Sequence, residues 1–134
     1  MKQSKILAMA AGLAMILGTA PALAAGDAAA GEKVFNKCKA CHSLEAGQNR
    51  VGPSLAGVIG RKAGTAEGFK YSKSMAEAGE KGLVWDAKAL HDYLEDPTKF
   101  LREYLDDKKA RGKMTFKLKK DDDREDVSAF LQGK

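Results

Sequence analysis

The sequence predicts an all-α fold, because no stretch alternates apolar and polar residues with period two for long, and because apolar residues recur at helical spacing behind capping residues. A further observation, eight glycines between residues 43 and 82, assigns the middle of the chain to loops. In chain order, "MKQSKILAMAAGLAMILGTAPALA" comes first: Lys2 and Lys5, an apolar run from Ile6 to Leu17, and small residues closing on Ala24. This is the pattern of a secretory signal peptide cleaved after Ala24, with an apolar run too short to span a bilayer. The expected layout is a leader over residues 1–24 and one domain over 25–134, working outside the cytoplasm, with no membrane span.

Asp27 is the N-cap candidate of the first helix of that domain, and Val34, Phe35, Cys38 and Cys41 follow at helical spacing, so the helix is expected to run into residues 38–42. A short helix near 72–80 interrupts the glycine-rich loops. Asp86 then opens a helix carrying Leu90, Tyr93 and Leu94, which stops before Pro97. Asp96-Pro97 starts another through Phe100, Leu101, Tyr104 and Leu105, with proline at the first helical position. The acids of "DDDREDVSAFLQ" suit a helix N-terminus and place Val127, Phe130 and Leu131 on one face. Gly31 is the expected crossing point of the first and last helices: its missing side chain admits Phe130, with Phe35 and Val127 filling the contact.

Without residues 1–24 the formal charge falls from +5 to +3, since the leader holds two lysines and no acid. So mild a balance gives no reason to expect a nucleic-acid partner. A domain of this size has a modest core, to which anything large and apolar bound inside would matter.

Both cysteines and one of the two histidines of the chain fall within "CKACH", residues 38–42. A disulfide closing so small a loop adds little stability. A structural zinc site needs about four ligands; outside the motif only His91 is on offer, a histidine among charged neighbours that reads as a plain surface residue. A thioredoxin-like dithiol would follow a strand in a βαβ pattern, and the motif follows a helix. Attachment of a c-type haem uses every letter, since the thiols of Cys38 and Cys41 add across the two vinyl groups and His42 reaches the iron.

With that motif the chain resembles class I c-type cytochromes, in particular the bacterial cytochromes c2, through "GEKVFNKCKACH", "VGPSLAGVIGRKAG", "GLVWD", "LHDYLEDPTKF", "GKMTF" and "DVSAFL". The resemblance implies a small fold of helices and loops wrapped around one covalent haem c, with crossing terminal helices. It implies that the Pro53 carbonyl accepts from the His42 ring, although Gly52-Pro53 also suits a plain turn. It implies that Arg61, Tyr71 and Trp85 meet the haem propionates, which need a cation and donors when buried; Trp85 would serve equally as a core aromatic. Tyr93 matches a tyrosine near the axial sulfur, or packs on its helix face. Met114, in the loop of "RGKMTFK", is expected as the sixth ligand opposite His42, with Met75 as core filler. Departures from the mitochondrial pattern are an insertion within "LREYLDDKKAR", Gly112 in place of a threonine, and Met75 in place of an asparagine.

These implications describe a monomeric, periplasmic electron carrier and not an enzyme. Its partners would be membrane-bound redox complexes with acidic docking faces: a cytochrome bc complex as donor, a photosynthetic reaction centre or cytochrome oxidase as acceptor. Lys37, Lys99, Lys113, Lys117, Lys119 and Lys120 would ring the haem edge beside Phe116 and steer docking. The competing function is a haem enzyme or ligand-binding cytochrome, peroxidase-like or high-spin, with an open sixth position. A module of a larger complex is a third.

Overall fold

The computed structural model describes residues 26–134, so the leader and its cleavage point lie outside the described residues. Five helices follow in order: α1 Ala28–Phe35, α2 Lys73–Glu80, α3 Ala87–Glu95, α4 Pro97–Leu105 and α5 Asp121–Leu131. Among the described residues the only β pairing is one isolated bridge, Lys62 with Val84. The all-α expectation holds.

Each helix begins where local chemistry allows it. Asp27 accepts from the backbone N–H groups of Ala29 and Ala30, Ser72 from Met75, Asp86 from Ala89 and Asp96 from Lys99, satisfying donors that the first turn leaves orphaned. Asp96 does double duty, closing α3 and opening α4. α5 has no side-chain cap; its acids Asp121, Asp122 and Asp123 meet the positive end of the helix dipole. The buried Arg124 draws the incoming strap onto it by donating to the carbonyls of Leu118 and Lys119.

α1 is shorter than its apolar spacing predicts. After Phe35 the chain keeps turning, but the amides of Asn36, Lys37, Cys38 and Cys41 bond three residues back rather than four. The tighter winding ends the α-helix before the motif.

The terminal helices cross at Gly31. A Cβ there would collide with the Asp126 carbonyl and stand 2.8 Å from Phe130 Cβ. Phe35 and Phe130 rings pack 5.4 Å apart beside it, and Asp27 N–H donates to Asp126 Oδ1 at 2.7 Å. A second close approach, Gly79 of α2 against the Ala63 carbonyl, seats α2 on the loop that carries Arg61. That loop is held to the segment before α3 by Ala63 N–H to Leu83 O and Trp85 N–H to Arg61 O.

Candidate haem site

α2, α3, α5 and the loops line a cavity of about 410 Å³, within the range of small-molecule and cofactor sites. Its floor is apolar, from Leu90 and Leu94 of α3 and Val127 and Leu131 of α5, pairs one helical turn apart. Cys38, Cys41 and His42 enter from one side and Met114 and Phe116 from the loop before α5.

His42 Nδ1 lies 2.7 Å from the Pro53 carbonyl oxygen. A carbonyl only accepts, so Nδ1 carries the proton and Nε2 keeps its lone pair for a metal. Burial pushes the imidazole below the usual histidine range, against the Pro53 bond and with help from the Arg61 charge, so the ring is neutral at neutral pH. Gly52 gives the ring its room: a Cβ there would fall on the imidazole, 2.8 Å from Nδ1 and 2.9 Å from Nε2. Burial also pushes the Cys38 thiol up to about 11, while Cys41 stays exposed.

Arg61 provides the test of fit. Its Nη1 donates to the carbonyls of Ser54 and Ala56, yet its Nε is buried without a partner on the cavity wall. A guanidinium with an unused donor, built into the wall of an apolar hollow, suits an amphipathic guest that carries carboxylates. Tyr71 lines the same wall; its hydroxyl accepts from Ala66 N–H and keeps its own proton to donate. Trp85, Tyr93 and Phe100 form an aromatic cluster behind them, with Trp85 and Tyr93 ring centres 4.8 Å apart and Phe100 edge-on to Tyr93. Burial raises the Tyr93 phenol, which stays neutral. The residues present fit a haem: two thiols beside an unprotonated imidazole nitrogen, an apolar slot, and cationic and hydroxyl donors at one edge.

A family model described as cytochrome c matches residues 28–133. The chain belongs to the cytochrome c family, as a class I member of the bacterial c2 type. The cytochrome c2 of Cereibacter sphaeroides is 50% identical to it, over 97% of this chain and 94% of that protein. The cytochrome c-551 of Roseobacter denitrificans is 51% identical over 89% and 88%. The ferricytochrome c2 structure from Rhodopseudomonas palustris superposes with a TM-score of 0.75 at 50% identity, covering 80% of this chain and 97% of that one. This cytochrome therefore carries haem c on Cys38 and Cys41 and is an electron-transport protein.

All ten residues expected at the cofactor, Cys38, Cys41, His42, Pro53, Arg61, Tyr71, Trp85, Tyr93, Met114 and Phe116, line this one cavity. Of the six docking lysines, Lys37 and Lys113 line it; Lys99, Lys117, Lys119 and Lys120 do not. Several are tied down: Lys37 to Asp123 at 3.2 Å, Lys117 to Asp96 at 2.7 Å, and Lys99 to Glu103 at 3.8 Å. Sequence reasoning missed Gly52 as the clearance for the imidazole, having read it as a turn residue. Met75, read as core filler and, by resemblance, as the replacement of a haem-side asparagine, is buried and lines the cavity.

The Met114 loop is anchored in spite of its insertion. Arg111 N–H donates to Ser74 Oγ, Arg102 Nε to the Ala110 carbonyl, and Leu118 N–H to the Leu94 carbonyl. Lys113 completes the set: its ammonium donates to the Lys70 carbonyl and stands 5.5 Å from the centre of the Phe69 ring. It closes the loop over the cavity mouth. Beside it Val51 and Phe116 stay 76% and 41% exposed, an apolar rim that a partner can touch.

Proposed function

We propose that this cytochrome is a periplasmic one-electron carrier shuttling between membrane-bound redox complexes, with a cytochrome bc complex as donor and a photosynthetic reaction centre or terminal oxidase as acceptor. The observation that carries the reading is that His42 and Met114 line one cavity, an imidazole nitrogen and a thioether available for the two axial positions. Bound there, haem c supplies an iron that takes up and releases a single electron. The protein's part is to hold its ligands still: Pro53 and Gly52 fix the imidazole, and the anchors of the 106–120 loop fix Met114. With both positions filled by side chains no place remains for a substrate, and little needs to rearrange when the charge changes. Among the described residues no helix is long and apolar enough to cross a membrane.

Met114→Ala tests the reading. The variant is expected to bind carbon monoxide readily, to lose the weak long-wavelength sulfur-to-iron band, and to show a lowered reduction potential, because the soft thioether favours ferrous iron. Met75→Ala is expected to keep both the band and the potential near the parent's. An unchanged spectrum in Met114→Ala, with the loss appearing in Met75→Ala, transfers the ligand role to Met75.

A further inference from the structure

On the faces of α3 and α5 turned away from the haem cavity lies a smaller hollow of about 230 Å³, lined in part by Lys88, His91, Glu125 and Ser128. His91 is no plain surface residue. Its Nδ1 lies 3.2 Å from Asp92 Oδ1 and its Nε2 3.0 Å from Asp121 Oδ1. A neutral imidazole has one N–H and one lone pair, so it can satisfy only one of these two acceptors. The other contact sets a lone pair against a carboxylate oxygen unless positive charge lies between them. Glu125, one turn along α5 from Asp121, brings a second carboxylate; ligand atoms of His91, Asp121 and Glu125 all lie within 4.8 Å of one another. Ser128, 3% exposed and lining the same hollow, has a hydroxyl with no hydrogen-bond partner among the described residues.

We propose that His91, Asp121 and Glu125 form a binding site for a divalent transition-metal ion, with zinc the best chemical match, that clamps α3 to α5. One imidazole nitrogen and two carboxylates, with an open side for water, make a three-ligand set that zinc accepts. Asp92 accepts the Nδ1 proton and so turns the Nε2 lone pair toward the ion, as an outer carboxylate does around ligating histidines. Asp121 Oδ1 is also held by Arg124 Nη2 at 2.8 Å, which leaves Oδ2 for the metal. Magnesium and calcium, which favour all-oxygen shells, have no use for the imidazole.

The test is calorimetric titration of the haem-loaded protein with zinc chloride, about one pH unit above the ordinary histidine range so that the imidazole is neutral. Saturable binding of a single ion is expected, with a raised thermal midpoint, since the site exists only in the folded form. The visible haem spectrum is expected to stay unchanged, and magnesium chloride at the same concentration to give no binding. His91→Gln and Glu125→Gln are each expected to weaken zinc at least about tenfold, and Asp92→Ala about 10–100-fold. If His91→Gln melts far below the parent without zinc, Glu125→Gln, an exposed carboxylate, decides. Absence of saturable binding overturns the site and leaves an imidazolium between two carboxylates; parent-like affinity in the variants, or a haem spectrum that moves with the titration, overturns it as well.

Discussion

A methyl group at Gly52 has nowhere to go except into the His42 ring. The neighbouring Pro53 carbonyl fixes which ring nitrogen is protonated, so displacing the ring puts orientation and basicity at stake together. Gly52→Ala is therefore expected to shift the reduction potential and perturb the haem absorption while leaving the helical circular dichroism close to the parent's; a potential within error of the parent's would contradict this. The same position shows why part of the site could not be read from the chain. Cys38, Cys41 and His42 declare themselves by spacing, and Pro53, Arg61 and Met114 by resemblance. The role of Gly52 is the absence of an atom, which a Gly-Pro pair does not distinguish from an ordinary turn, and Met75 fits its helix pattern whether it faces core or cofactor.

Capping residues, the proline at 97 and the acids that open α5 made α2 to α5 legible, because those signals are local. The end of α1 was not, since bonds reaching three residues back leave the apolar spacing nearly unchanged; nor were the anchors of the 106–120 loop, whose partners Ser74, Lys70 and Leu94 are distant in sequence. The crossing of α1 and α5 was legible, because a glycine among good helix formers facing aromatic residues fits close approach. Gly31→Val is expected to cost about 1–3 kcal/mol or more through overpacking, and a thermal midpoint within a degree or two of the parent's would deny the contact. At the α3–α4 junction, hydrogen bonds from Lys117 and then from the Lys99 amide hold the Asp96 carboxyl below its usual range. A depressed carboxyl stabilises above the unfolded value of about 3.9 and loses that contribution as pH falls through the folded one. Asp96→Asn keeps a capping side chain but loses the charge. It is expected to be less stable at neutral pH by at most about 1 kcal/mol, as for other surface pairs, with the gap closing in acid as the depressed carboxyl takes up its proton. Urea unfolding at the two pH values checks this.

For the molecule as a whole, charge and apolar surface are arranged about one opening. Exposed Val51 and Phe116 line the same cavity as Lys37 and Lys113, whereas Lys81 and Lys88 pair with acids elsewhere. On the proposed reading an acidic partner would be drawn to that rim from a distance, so electron-transfer rates with an isolated membrane redox complex are expected to fall steeply as salt approaches physiological strength, where the Debye length is about 8 Å. Lys113→Glu and Lys120→Glu are expected to slow the reaction at low salt more than Lys81→Glu or Lys88→Glu; equal effects from both pairs, or rates indifferent to salt, would reject this face. The crossing at Gly31 also bears on how the chain is made. α1 rests on α5, and Asp27 is tied to Asp126, ninety-nine positions later, so the first helix of the domain has no packing partner until almost the last residue has been synthesised. A nascent chain with pairings this distant leaves α1 without its partner helix until α5 has been made, so a chain halted before α5 is expected to lack the crossing altogether.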